Sequence, residues 1–223
     1  MKPLFSVIIP TFNRAAFIKR SIGSVLDQDC VYAGDIQIIV IDDGSGDQTD
    51  QIVSKIDPGK HSIIYEKIAH IGQPGTVRNL ALKKVEGDFV CYCDSDDLWL
   101  PHHLATAMQE FKKYPHLYMV SNFWGLAKFT VCPDGRILNE YVVPPHPKNI
   151  VNTNCRVHRK ECLNVVSSFN TSCWGEDQDF FGRIETKYPQ SKTGIVTSVN
   201  GYIRGGNNLT YLFDQGVKQR YYT

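Results

Sequence analysis

The sequence predicts an α/β protein built on a mostly parallel sheet with helices on both faces, and three observations carry this. Strand-sized apolar runs alternate with helix-period segments through the first half of the chain. The run Ile36–Ile41 is almost continuously apolar, as a parallel strand buried on both faces would be. Polar and acidic residues gather just after these runs, where open parallel sheets bind ligands.

The elements follow in order. Leu4–Ile9 reads as the first strand. Arg14–Asp27 reads as a helix, with Ala15, Ile18, Ile22, Val25 and Leu26 at helical spacing and Asn13 as its N-cap. Ile36–Ile41 is the second strand, Gln48–Lys55 a short helix and Ser62–Tyr65 the third strand. Pro74–Val85 is a helix with Val77, Leu80, Ala81 and Leu82 inward, Phe89–Cys93 the fourth strand, and Pro101–Tyr114 the next helix. The second half is smaller and less regular. Tyr118–Phe123 and Ala127–Val131 read as strands, followed by a turn at Cys132–Gly135, a loop at Pro144–Pro147 and a helix over Asp177–Lys187. The expected organisation is one domain over 1–223: a ligand-binding half (1–123), a second half (124–200) and a tail (201–223).

Composition excludes several classes. Hydrophobic content of 42% and charged content of 21% fit an ordinary globular core. A net charge of +1 without any Lys/Arg run gives no basis for a nucleic-acid partner or a polybasic membrane patch. No apolar run reaches the length of a membrane span, and Pro10 interrupts the short apolar stretch that a signal peptide would need. Seven cysteines form neither a disulfide pattern nor a zinc motif, so a reducing, cytoplasmic compartment is expected. Cys91 and Cys93, two apart in a strand, are read as small buried hydrophobes. In that compartment the sequons at Asn170 and Asn208 carry no meaning.

Cys91-Tyr92-Cys93-Asp94-Ser95-Asp96-Asp97 holds the strongest chemical signal, because it ends a strand in three carboxylates. Like charges this close raise one another's pKa unless a cation lies among them. Mg²⁺ or Mn²⁺ accepts such oxygen ligands, often completed by substrate phosphates. The plainer alternative is that Asp97 caps the helix opened by Pro101 while Asp94 and Asp96 are solvated. Two more polar clusters follow strands one and two: Pro10-Thr11-Phe12-Asn13-Arg14 and Asp42-Asp43-Gly44-Ser45-Gly46-Asp47. A Gly-rich turn with Asp47 as a helix cap is the plain reading of the second.

Ser6–Asn13, Val40–Ser45, Arg78-Asn79, Asp94–Asp97 and Gly175-Glu176-Asp177 occur in the order seen in family 2 glycosyltransferases, and the stretch from about Ser6 to about Arg183 resembles that family. The resemblance implies the GT-A fold, a Rossmann-like sheet with an acceptor-side second half. It implies an inverting transferase that moves a sugar from a nucleotide-sugar donor, with a UDP-sugar expected, to a glycan or lipid-linked saccharide. Asp43 would bond the nucleobase, with Pro10, Thr11 and Asn13 lining its pocket. Asp94, Asp96 and Asp97 match the DxD segment; Asp96 and Asp97 would hold Mn²⁺ or Mg²⁺, with Asp94 next to them. Arg78 would lie near the diphosphate, although one extra residue separates it from Gly72. Asp177 matches the catalytic base, the one carboxylate that an inverting transfer requires. Glu176 would orient the acceptor. Where relatives carry a histidine, the segment Tyr202–Asn207 has glycine, leaving Arg204 or Asn207 as possible contacts.

Of the tryptophans, Trp174 is the candidate acceptor platform and Trp99 a core residue. His102 and His103 are read as surface residues at a helix start; His158 is read as a strand residue, with a place against the donor phosphates as the lesser alternative. A lipid-linked acceptor would allow peripheral association with the inner membrane face. Two other functions fit part of the pattern. A sugar-phosphate nucleotidyltransferase would need a Gly-rich first loop that Pro10–Asn13 lacks, and a non-catalytic nucleotide-sugar-binding module would not need Asp177.

Overall fold

A computed structural model describes residues 2–29, 36–131, 137–143, 152–172 and 175–203. Strands β1 (Phe5–Thr11), β2 (Ile36–Asp42), β3 (Ser62–Lys67) and β4 (Phe89–Tyr92) pair in parallel in the order β3-β2-β1-β4. The sheet continues through β8 (Arg156–Arg159), which runs antiparallel to both β4 and β6 (Met119–Val131). A long parallel pairing joins β6 to β9 (Gln190–Ile203). Strand β5 (Leu98–Trp99) ends the order against β9, and β7 (Ile137–Val143) pairs with β6 off the main path.

The period-2 geometry of the strands sends alternate side chains to opposite faces and so builds two cores. Val7, Ile9, Ile38, Val40, Cys91 and Cys93 point to one face, covered by α1 (Ile18–Leu26) and α4 (His103–Lys113). Ile8, Ile39, Ile41, Val90 and Tyr92 point to the other, covered by α3 (Pro74–Leu82) and α5 (Glu176–Lys187). A short helix, α2 (Thr49–Val53), adds Val53 to the first core. The expected parallel sheet with helices on both faces is present, and Cys91, Cys93 and Trp99 are buried as expected.

Three local readings differ. The first helix begins at Ile18, not Arg14, and Asn13 does not cap it. Asn13 adopts a left-handed φ of 51°. The N–H groups of Phe17 and Ile18 instead bond the Arg14 carbonyl, forming a turn ahead of the helix. The two strands expected over 118–131 are one strand, β6, with register irregularities against β9 between Ser121 and Trp124. His103 is buried rather than on the surface: it stacks on Trp99 at 4.2 Å, and its Nδ1 lies 2.7 Å from Thr197 Oγ1. The expected turn at 132–135, the loop at 144–147 and the tail from 204 lie outside the described residues.

His158 faces the second core. Its Nδ1 donates to the Arg159 carbonyl at 2.8 Å, which leaves Nε2 to accept from the Tyr92 hydroxyl at 2.9 Å. Tyr92 stands edge-on to Phe169, Phe180 and Phe181. Burial lowers the His158 pKa from 6.5 to about 4; burial, with the charge of His102, lowers that of His103 to about 3. The unfolded chain therefore binds more protons than the native protein below pH 6.5. Stability is unaffected above that pH and is lost as pH falls towards 4, by up to about 1.4 kcal/mol per pH unit for each histidine. A melting temperature that falls between pH 6.5 and 4, less steeply in His158→Gln, is the expected result. A fall equally steep in that variant would remove His158 from the account.

Candidate active site

The C-terminal ends of β1, β2 and β4 meet at one edge, and the polar residues gather there. Thr11 pairs with Asp42 at the ends of β1 and β2, and the Asp43 N–H donates to the Thr11 carbonyl at 2.8 Å. Asp42 is wholly buried; its carboxylate accepts from the Ser45 N–H at 2.7 Å and from the Tyr65 hydroxyl. Burial first and then Asp42 push the Tyr65 pKa well up. Asp47 is not the N-cap of α2, which is Gln48; its carboxylate accepts from the Thr49 N–H and the Ala15 N–H, both at 3.0 Å, and so ties the loop after β1 to the start of α2.

Asp43 has a different job. One carboxylate oxygen accepts from the Ile71 N–H at 2.7 Å and the other from the Gly72 N–H at 2.8 Å. The carboxylate thereby pins the loop after β3. His70, on the same loop, stacks on Phe12 at 4.2 Å, and its Nδ1 lies 3.1 Å from Asp43. Gly44 permits this approach: it has φ +79°, and a Cβ there would lie 2.9 Å from the His70 nitrogen. Asn13 ties the two loops together, accepting from the Gly46 N–H and donating its own N–H to Ser45 Oγ, both at 2.8 Å. The left-handed Asn13 backbone that ended the capping role is what turns it towards this loop. The Thr11 hydroxyl is buried, with no hydrogen-bond partner among the described residues.

The acidic loop follows β4. Asp94 receives Arg78 Nη2 at 2.8 Å, and Arg78 Nη1 reaches Glu176 at 2.9 Å. Burial works against the Arg78 charge, but Asp94 and Glu176 more than offset it and hold the guanidinium charged. Burial raises the Glu176 pKa, with Arg78 opposing and Asp177 adding to the rise. Close packing sets this arrangement, since a Cβ on Gly75 would lie 3.0 Å from Glu176 Cγ. Asp96 accepts from Arg14 Nε at 3.3 Å. Asp97 is buried and accepts from Asn154 Nδ2; it does not cap α4, whose N-cap is His102. On the first turn of α5, Asp177 accepts from Thr153 Oγ1 at 2.9 Å.

The acidic loop suits a hard divalent cation shared with a ligand. Burial and the charge of Asp94 raise the Asp96 pKa while Arg14 lowers it, so positive charge is in demand there. Every available donor is a carboxylate oxygen, as Mn²⁺ and Mg²⁺ prefer. Among the described residues no group of three His, Cys, Asp or Glu could hold a metal ion by itself, so a cation at this loop would need oxygens supplied by a bound ligand.

Pro10, Thr11, Asn13 and Asp43 thus lie at one side of the edge, and Arg78, Asp94, Asp96, Asp97, Glu176 and Asp177 at the other. Arg14 links the two sides through Asp96. Trp174, Arg204 and Asn207 lie outside the described residues. Sequence reasoning gave no role to Thr153 and Asn154. Their only signal was a polar Asn-Thr-Asn run before a short strand.

Residues 6–144 match the family described as glycosyl transferase family 2. The poly(ribitol-phosphate) beta-N-acetylglucosaminyltransferase TarS of Staphylococcus aureus is 41% identical over 93 residues, 42% of this chain and 16% of TarS. The minor teichoic acid biosynthesis protein GgaA of Bacillus subtilis is 33% identical over 238 aligned positions, covering 98% of this chain and 51% of GgaA. The chain thus spans about half or less of the length of these curated relatives. A crystal structure of TarS residues 1–349 with UDP-GlcNAc matches the fold with a TM-score of 0.74 at 24% identity, over 94% of this chain and 61% of that one. The mannosyltransferase PcManGT of Pyrobaculum calidifontis, in complex with GDP-Man and Mn²⁺, matches with a TM-score of 0.70 at 19% identity, over 90% and 57% of the two chains. The fold is therefore the GT-A fold. The chain belongs to glycosyl transferase family 2.

Proposed function

We propose that the protein is an inverting glycosyltransferase that moves a sugar from a UDP-sugar to a hydroxyl of a glycan or lipid-linked saccharide. The observation that carries the reading is the Arg78 bridge, which ties the acidic loop through Asp94 to Glu176, one residue from Asp177. Charge against a leaving diphosphate and a base for the acceptor thus stand side by side. The UDP-GlcNAc held by TarS supports the donor class, and the poly(ribitol-phosphate) in the TarS name supports a polyhydroxylated polymer as acceptor. A lipid-linked acceptor would bring the protein to a membrane surface, although no helix among the described residues is long and apolar enough to cross one.

In this reading Asp43 and the loop it pins receive the nucleobase, beside Pro10, Thr11 and Asn13. Asp96 and Asp97 would hold the metal, Asp97 from the buried side where Asn154 orients it, and Asp94 would face the donor. When bound, Mn²⁺ or Mg²⁺ supplies positive charge to the diphosphate. Arg78 adds a fixed guanidinium to the same task. A carboxylate oxygen of Asp177 takes the acceptor's hydroxyl proton as the hydroxyl oxygen attacks the anomeric carbon and the bond to the diphosphate breaks. Glu176 holds Arg78 and borders the acceptor, and Trp174 would offer a platform for its sugar ring.

Thermal shift with UDP, GDP and their sugars, each with and without Mn²⁺, tests this. Ligand at a hundred times its Kd adds about 2.7 kcal/mol to native stability. A Mn²⁺-dependent rise with UDP and a UDP-sugar is expected. A flat response to every nucleotide in the presence of Mn²⁺ would remove the donor site, and with it the reading.

A further inference from the structure

Two consecutive side chains on a short 3-10 turn, Thr153–Cys155, reach the acidic loop and the first turn of α5. Thr153 is buried, and its hydroxyl donates to Asp177 Oδ2 at 2.9 Å. Asn154 is wholly buried; its Oδ1 accepts the Asp94 N–H at 2.8 Å, and its Nδ2 donates to Asp97. Topology explains how an otherwise unremarked turn arrives there. β8 runs antiparallel to β4, so the residues that precede β8 lie at the edge where the residues that follow β4 emerge. The strand after the turn adds another tie, because Arg156 pairs with Glu185 on α5 at 2.9 Å.

We infer that Thr153 is a positioning residue for Asp177, and that Asn154 fixes its distance from the acidic loop. The inference rests on the glycosyltransferase reading and assigns a residue that the family motifs do not contain. The other Asp177 oxygen, Oδ1, accepts the Gln178 N–H at 2.8 Å. With Oδ2 held by Thr153, the carboxylate plane is set from both ends. A base held in this way meets the acceptor oxygen without searching rotamers, so its loss falls on turnover rather than on donor binding.

The test measures UDP release from UDP-N-acetylglucosamine and UDP-glucose with Mn²⁺, water serving as acceptor, for wild type, Thr153→Val, Thr153→Ser and Asp177→Asn. Thr153→Val keeps the shape and loses the hydroxyl; kcat is expected to fall about tenfold with the donor KM little changed. Thr153→Ser restores the donor and is expected to recover most of the rate. Wild-type kcat in Thr153→Val, or a loss as large in Thr153→Ser as in Thr153→Val, would overturn the inference. Asp177→Asn separates the two levels. If that variant is inactive while Thr153→Val is unaffected, only the positioning role falls. If it turns over normally, Asp177 is not the base and the positioning role falls with it; a wild type that neither releases UDP nor shows a Mn²⁺-dependent thermal shift with UDP removes the underlying reading.

Discussion

Arg78→Met is expected to lower stability more than any other single change at this edge, and to lower activity with it. The methionine keeps much of the side chain's bulk but leaves Asp94 and Glu176 facing each other without their shared cation. Removing one partner from a buried ionic network costs about 3–5 kcal/mol. The Asp94 side chain is 32% exposed, so water offsets part of the loss and the lower figure applies, about 3 kcal/mol. For a domain of this size that is a melting temperature lower by roughly 10 °C. UDP release should fall on the order of 100-fold, since one preorganised charge against the leaving group is gone. Urea unfolding and the UDP-release assay read the two effects separately. A midpoint equal to that of wild type would show that the bridge contributes nothing to the fold.

Asp177→Asn should act on one quantity only. Asparagine is nearly isosteric, and its side-chain oxygen can still accept from Thr153 Oγ1. Donor binding and melting temperature are therefore expected to stay close to wild type. Turnover should fall by about 10²–10⁴, the range that a general base supplies. Retention of the Mn²⁺-dependent thermal shift alongside that loss would separate chemistry from binding. Turnover near the wild-type rate would instead place the base elsewhere.

The first half of the fold was legible because its signals are redundant. Ile36–Ile41 is apolar but for Gln37 and buried on both faces, so one run shows both strand and parallel pairing. The second half offers weaker local signals. β9 reads Gln-Ser-Lys-Thr-Gly-Ile-Val-Thr-Ser-Val-Asn-Gly-Tyr-Ile, a polar, glycine-interrupted sequence held extended by its pairing with β6 and β5. Tertiary context decides such a segment. The same limit governed the site. Asp43 and the three aspartates after β4 stood out as unexplained carboxylates, whereas the part played by Thr153 and Asn154 depends on strand direction. His103 shows the converse: a histidine at a helix start looks exposed until Trp99 and Thr197 close over it.

The Arg78 bridge also bears on the order in which the molecule is made. Its two carboxylates lie 16 and 98 residues further along the chain. Synthesis proceeds from the N-terminus. The parallel strands β1–β4 are all complete by Tyr92, so Arg78 and Asp94 can meet while Glu176 and Asp177 are still unmade. A nascent chain at that stage carries the acidic loop but not yet Glu176 or Asp177. In the proposed reading, competence for transfer therefore waits on α5, whose Glu176 supplies the second carboxylate of the bridge.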